Sequence, residues 1–129
     1  MKTKMNRRSF LRTSAAGLAA FNIIPNAISA PPGQRLNLGF IGPMGRGRAN
    51  LNGLKKEVNV VALCDVDGKN MAKVAEEFPK VDQYVDFRKM LERKDLDAVV
   101  VSTPDHTHAV AAAYSLQSGR HVYCEKPLT

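Results

Sequence analysis

Acidic residues are missing from the first 56 positions of this 129-residue chain, Glu57 being the first. Lys2, Lys4, Arg7, Arg8 and Arg12 stand there unopposed, so the formal charge of +7 belongs largely to one end. Setting aside residues 1–29 leaves 14 basic against 12 acidic residues. That remainder has no basic run dense enough to follow a phosphate backbone and no aromatics interleaved with one, which argues against nucleic-acid binding. Cysteine is scarce as well. Cys64 and Cys124 are the only two, they lack metal-ligand spacing, and each closes an apolar run as a buried strand-end thiol does. Internal repeats and low-complexity segments are absent. The uncharged stretch 13–24 is too short and too rich in alanine for a comfortable membrane span.

What the amino terminus does have is an export pattern. A basic region is followed by that short apolar stretch and by small residues before Pro31-Pro32-Gly33. Arg7-Arg8 followed by Phe10-Leu11 resembles a twin-arginine (Tat) signal. Residues 1–29 are therefore read as a Tat signal peptide, cut after Ser29 with Ala27 three residues back, and an uncleaved anchor is the alternative. This predicts a periplasmic or extracellular protein that meets the Tat translocation machinery. That route carries folded proteins, which suits a tightly held cofactor. Residues 30–35 read as a linker and 36–129 as a single domain.

Past the linker the pattern alternates. Strands are predicted at 36–41, 58–64, 83–85, 98–101 and 121–124. Helices are predicted at 47–56, 69–78, 87–93 and 106–118. Strict alternation predicts an α/β, Rossmann-like, doubly wound parallel sheet, for which the economical order is 3-2-1-4-5. The second and fifth strands then lie three spacings apart, on the order of 14 Å, so Cys64 and Cys124 cannot pair.

In such a sheet ligands bind beyond the carboxyl ends of the strands, and that is where the chemistry-bearing residues fall. Gly42-Pro43-Met44-Gly45-Arg46-Gly47 follows the first strand. A glycine turn lets backbone N–H groups and a helix N-terminus face a pyrophosphate. In the G-x-G-x-x-G register counted from Gly42, Met44 occupies the second glycine position. Counted from Gly45, Asn50 occupies the third. Asp65, 23 residues after Gly42, is placed to accept both ribose hydroxyls of an adenosine. Its charge would repel a 2′-phosphate, which favours NAD over NADP. Ser102-Thr103-Pro104 follows the fourth strand and can wall the groove. Glu125-Lys126-Pro127 follows the fifth, where Lys126 can hold negative charge or relay a proton. Asp105 reads as a helix cap. Asp105-His106-Thr107-His108 hints at a metal, but histidines two apart on a helix do not share a face, so no metal site is expected.

The segments "VVALCDVD", "DFRKMLERKDLDAVVVSTPDHTHA" and "GRHVYCEKPLT" resemble the N-terminal domain of the Gfo/Idh/MocA oxidoreductases, over residues 36–129. The resemblance implies a tightly bound NAD or NADP and a sugar or polyol substrate. It matches Gly42, Gly45, Arg46 and Gly47 to the pyrophosphate turn, with Met44 where the family has glycine. It matches Asp65 to the ribose acid, Ser102, Thr103, Pro104 and His108 to the segment along the cofactor, and Glu125 and Lys126 to the signature near the nicotinamide. Lys126 is then the catalytic candidate. Met44 is expected to weaken NAD binding without abolishing it. Family members continue into a second α/β domain, and full-length relatives are expected to be homo-oligomers. The chain is accordingly expected to be a fragment that catalyses nothing alone and exposes apolar surface. The activity implied is hydride transfer. The alternatives are an NAD-dependent glycoside hydrolase of the same fold and a non-catalytic cofactor-binding module.

Overall fold

The strands alternate their side chains between two cores, as period-two geometry requires. In the computed structural model, which describes residues 33–128, Leu38, Phe40, Leu63 and Val100 face one side. Ile41, Ala62, Cys64, Val99 and Val101 face the other. The strands are β1 (Asn37–Ile41), β2 (Asn59–Cys64), β3 (Asp82–Tyr84), β4 (Ala98–Val101) and β5 (His121–Cys124). All four pairings are parallel and the order is β3-β2-β1-β4-β5, as the alternation predicts. Both cysteines are free thiols. Residues 1–32, on which the signal-peptide reading and part of the linker reading fall, lie outside the described residues.

Each face is covered by the helices that connect its strands. The Leu38–Phe40 side is closed by Leu51 of α1 (Arg46–Leu54) and by Met71 and Val74 of α2 (Gly68–Ala75). The opposite side is closed by Met90 and Leu91 of α3 (Phe87–Leu91) and by Ala111 of α4 (Asp105–Gln117). Burying both faces explains why β4 reads as an uninterrupted apolar run. The β1–β2 register shifts between Leu38 and Gly39. The pairing skips Val61, an irregularity that the apolar pattern of the strand does not announce.

Helix starts differ from expectation in one respect. Asp67 and Asp86 cap α2 and α3 by accepting the Lys69 and Arg88 N–H groups. Asp105 does not cap α4. It is the first helical residue, and Pro104 takes the cap position in extended conformation with no side-chain bond. A proline fixed near its natural φ serves there because that position needs no N–H donor. Asp105 still places a negative charge in the first turn, where the helix dipole favours it.

Candidate cofactor site

The residue following each of β1, β2, β4 and β5 is held by one more ladder bond. The Gly42 N–H donates to the Cys64 carbonyl at 2.9 Å, Asp65 to Tyr84 at 3.1 Å, Ser102 to Ile41 at 2.9 Å and Glu125 to Val101 at 3.0 Å. The sheet therefore extends one residue past its strands and delivers these four residues to a single rim. A cavity of about 660 Å³ opens there, within the range of about 300–1,000 Å³ usual for small-molecule and cofactor sites. It lies at the switch point between β1 and β4. Gly42, Met44, Gly45, Arg46, Asp65, Ser102, Thr103 and Pro104 all line it.

The turn after β1 owes its shape to close backbone approach. Gly42 has φ +74°, and a Cβ there would lie 2.8 Å from the Ser102 carbonyl oxygen. A Cβ on Gly47 would lie 1.9 Å from the Gly42 oxygen. The first and third glycines of the motif are thus required by the fold itself, and Gly47 supports the turn from beneath without lining the cavity. Gly45, with φ +56°, precedes α1 and leaves its first turn without a side-chain cap. Met44 needs no positive φ, since no residue other than glycine has one among the described residues. A side chain at the second glycine position of the motif therefore brings no backbone strain. Its half-buried side chain packs on the Leu38–Phe40 core and also reaches the cavity wall.

Asp65 stands on the wall with Oδ1 accepting the Asp67 N–H at 2.9 Å. The Asp65 carboxylate is thereby oriented by the turn, and the capping role falls to Asp67. Across the cavity, Thr103 Oγ1 is buried with no hydrogen-bond partner. A buried hydroxyl without a partner is costly, and a polar ligand in this cavity would relieve it. The glycine cradle, the fixed acid and the orphaned hydroxyl together fit a dinucleotide.

The signature after β5 adjoins this site from the side. Glu125 Oε1 accepts from Asn50 Nδ2 at 2.8 Å and from Arg46 Nε at 3.2 Å. Asn50 Nδ2 also lies 3.0 Å from Ser102 Oγ. The Asn50 amide first, then the Arg46 guanidinium, hold the Glu125 carboxyl below its ordinary range. Lys126 is exposed and is not part of the cavity lining. His108 is not part of it either. It is only 1% exposed, with both ring nitrogens against main-chain carbonyls. Among the described residues no three His, Cys, Asp or Glu side chains converge as a metal site would require. The sequence reading missed the Asn50 tie to Glu125, and, in the cavity lining, the apolar rim residues Val66 and Val85 and the wall residues Asn70, His106 and Thr107. Val66 is 85% exposed, and such a valine beside a cavity carries no sequence signal. Asn50 was visible only as a failed glycine.

Burial, with the nearby Asp65 and Asp86 charges, pushes the Cys64 thiol up to about 12. A thiol that stays protonated is a poor nucleophile, so Cys64 is wall and not reagent.

The fold and the rim define a dinucleotide-binding α/β domain. Residues 36–129 match the oxidoreductase family with an NAD-binding Rossmann fold, Gfo/Idh/MocA, and the chain belongs to that family. It is 35% identical over 135 residues to a glycosyl hydrolase family 109 protein of Stenotrophomonas maltophilia, covering 94% of this chain and 29% of that protein. It is 41% identical over 70 residues to inositol 2-dehydrogenase 1 of Saccharopolyspora erythraea, covering 54% and 21%. The myo-inositol dehydrogenase of Lactobacillus casei, solved with NAD(H) and myo-inositol, superposes with a TM-score of 0.70 at 27% identity, covering 74% of this chain and 30% of that one. The chain therefore spans less than a third of these relatives, and NAD is the family's cofactor.

Proposed function

We propose that this chain is the cofactor-binding part of an exported NAD-dependent oxidoreductase that acts on a sugar or polyol by hydride transfer. The observation that carries the reading is the convergence of Gly42, Gly45, Asp65, Ser102 and Thr103 on one cavity at the switch point of the sheet. The inositol dehydrogenase relatives support a polyol, and the paired arginines of the leader support export. NAD supplies the hydride acceptor. Asp65 accepts the adenosine ribose hydroxyls and repels a 2′-phosphate. The Thr103 hydroxyl gains a partner, and the Met44–Arg46 stretch of the turn offers its N–H groups to the pyrophosphate, those of Gly42 and Gly47 being bonded within the fold. Lys126 takes or holds the proton of the reacting hydroxyl. Titration with NAD and NADP tests this: NAD is expected to bind at least about tenfold tighter, a difference that one misplaced charge provides. Equal affinity for the two, or binding of neither, would overturn the cofactor reading. Export is tested by replacing Arg7 and Arg8 with lysine, which should leave the protein in the cytoplasm.

The likeness to the family 109 glycosyl hydrolase over 94% of this chain favours a second reading. In it the same domain serves a hydrolase that oxidises its sugar transiently and restores the cofactor. Sugar release without net NADH formation by the whole protein would select that reading. Net NADH would select the dehydrogenase.

A further inference from the structure

We propose that His108 is a positioning residue that fixes the Lys126–Pro127 segment against the turn after β4, and so orders the nicotinamide half of the site and not the adenosine half. The inference rests on the NAD reading above. His108 is carried by α4, and among the described residues it and Ser115 are the buried polar residues of the core. Its Nε2 lies 2.7 Å from the Thr103 carbonyl oxygen and its Nδ1 lies 2.7 Å from that of Pro127. Thr103 lines the cavity. Pro127 follows Lys126, to which the function proposed above gives the proton of the reacting hydroxyl.

Two braces therefore flank Lys126. On one side Glu125 is tied to Asn50 and Arg46. On the other the Pro127 carbonyl is tied to His108, the last hydrogen bond along the chain among the described residues. Lys126 lies exposed between two anchored neighbours. Its backbone is fixed while its side chain stays free to reach outward.

Both of the ring's partners are acceptors, so a neutral imidazole, with one N–H, donates to one of the two carbonyls, and only an imidazolium donates to both. An asparagine amide donates from a single nitrogen, whereas the two ring nitrogens stand on opposite sides of the imidazole. Histidine thus sets a nitrogen against each segment from a buried position.

The test uses His108→Asn, with Val74→Ala in the opposite core as a control for general destabilisation. Backbone 15N relaxation is first read without cofactor. At Lys126 and Leu128 the order parameter is expected to fall from about 0.85 towards 0.6 in His108→Asn and to stay unchanged at Gly42–Gly47. Titration then compares NAD with ADP-ribose, which lacks the nicotinamide. His108→Asn should lose about tenfold in NAD affinity while ADP-ribose changes less than about twofold, and Val74→Ala should not separate the two ligands. Unchanged order at Lys126, or equal loss for both ligands, would overturn the proposal. If the unaltered chain binds neither ligand, the NAD reading fails while the relaxation result still decides the brace. Should His108→Asn not fold, the ring 15N spectrum of the unaltered protein decides. A slowly exchanging, hydrogen-bonded ring N–H is expected, and a solvent-averaged imidazole would refute the bridge.

Discussion

At Gly47 a single methyl group would sit 1.9 Å from the Gly42 oxygen. At the other end of the same rim, Glu125 is held by an amide and a guanidinium at 2.8 and 3.2 Å. The turn after β1 is shaped by what cannot fit. The segment after β5 is shaped by what is bonded. Steric exclusion is insensitive to pH and unforgiving of substitution. A brace of polar side chains is adjustable, responds to protonation and can be removed one bond at a time.

The largest break in that comparison is Gly47→Ala. The added atom meets backbone, which cannot rotate away, so a cost of about 3 kcal/mol, the upper end of overpacking, is expected. In a domain of this size that lowers the melting temperature on the order of 15 °C, measurable by circular dichroism. Met44→Gly comes next. It removes a half-buried side chain from the Leu38–Phe40 core and should cost about 2 kcal/mol, while tightening NAD binding if the side chain crowds the pyrophosphate. A titration with unchanged affinity would show that Met44 is no defect.

Glu125→Gln probes the bonded side and should have a smaller effect on melting. Its signature is in pH. The carboxyl sits below its ordinary value of 4.5 when folded, so its contribution is complete above 4.5 and is lost as pH falls through the lower folded value. The acid-unfolding profile of the unaltered chain should carry that step, and the Gln variant should lack it. The smallest change has the opposite sign. Gly53 lies in α1, the helix that also holds Gly47, but a Cβ there meets nothing within 4 Å. Gly53→Ala should stabilise by about 0.5–1 kcal/mol. If both alanines destabilise alike, the steric account of the turn is wrong.

This contrast also explains what was legible in the sequence. The parallel sheet and its order follow from alternation and apolar runs such as Val99-Val100-Val101, because burial on both faces leaves a pattern. Gly42, Gly45 and Asp65 were legible because turn chemistry restricts residue type. The braces were not. Asn50 on α1 and Glu125 after β5 stand 75 residues apart, and no local rule links an amide to a carboxylate at that distance. His108 was placed along the cofactor by resemblance, whereas its ring is buried between two carbonyls. Burial of a histidine depends on how α4 packs, and spacing alone carries no trace of it. Asp105 was read as a cap because aspartate often is one, but the preceding proline already held that position.

Asn50 is the residue at which a glycine motif counted from Gly45 breaks down. A glycine there would complete the pattern on paper and cut the tie between α1 and the signature. Aspartate at the same place would set two acids face to face beside Ser102, turning a fastening into a spring that opens at neutral pH and closes in acid.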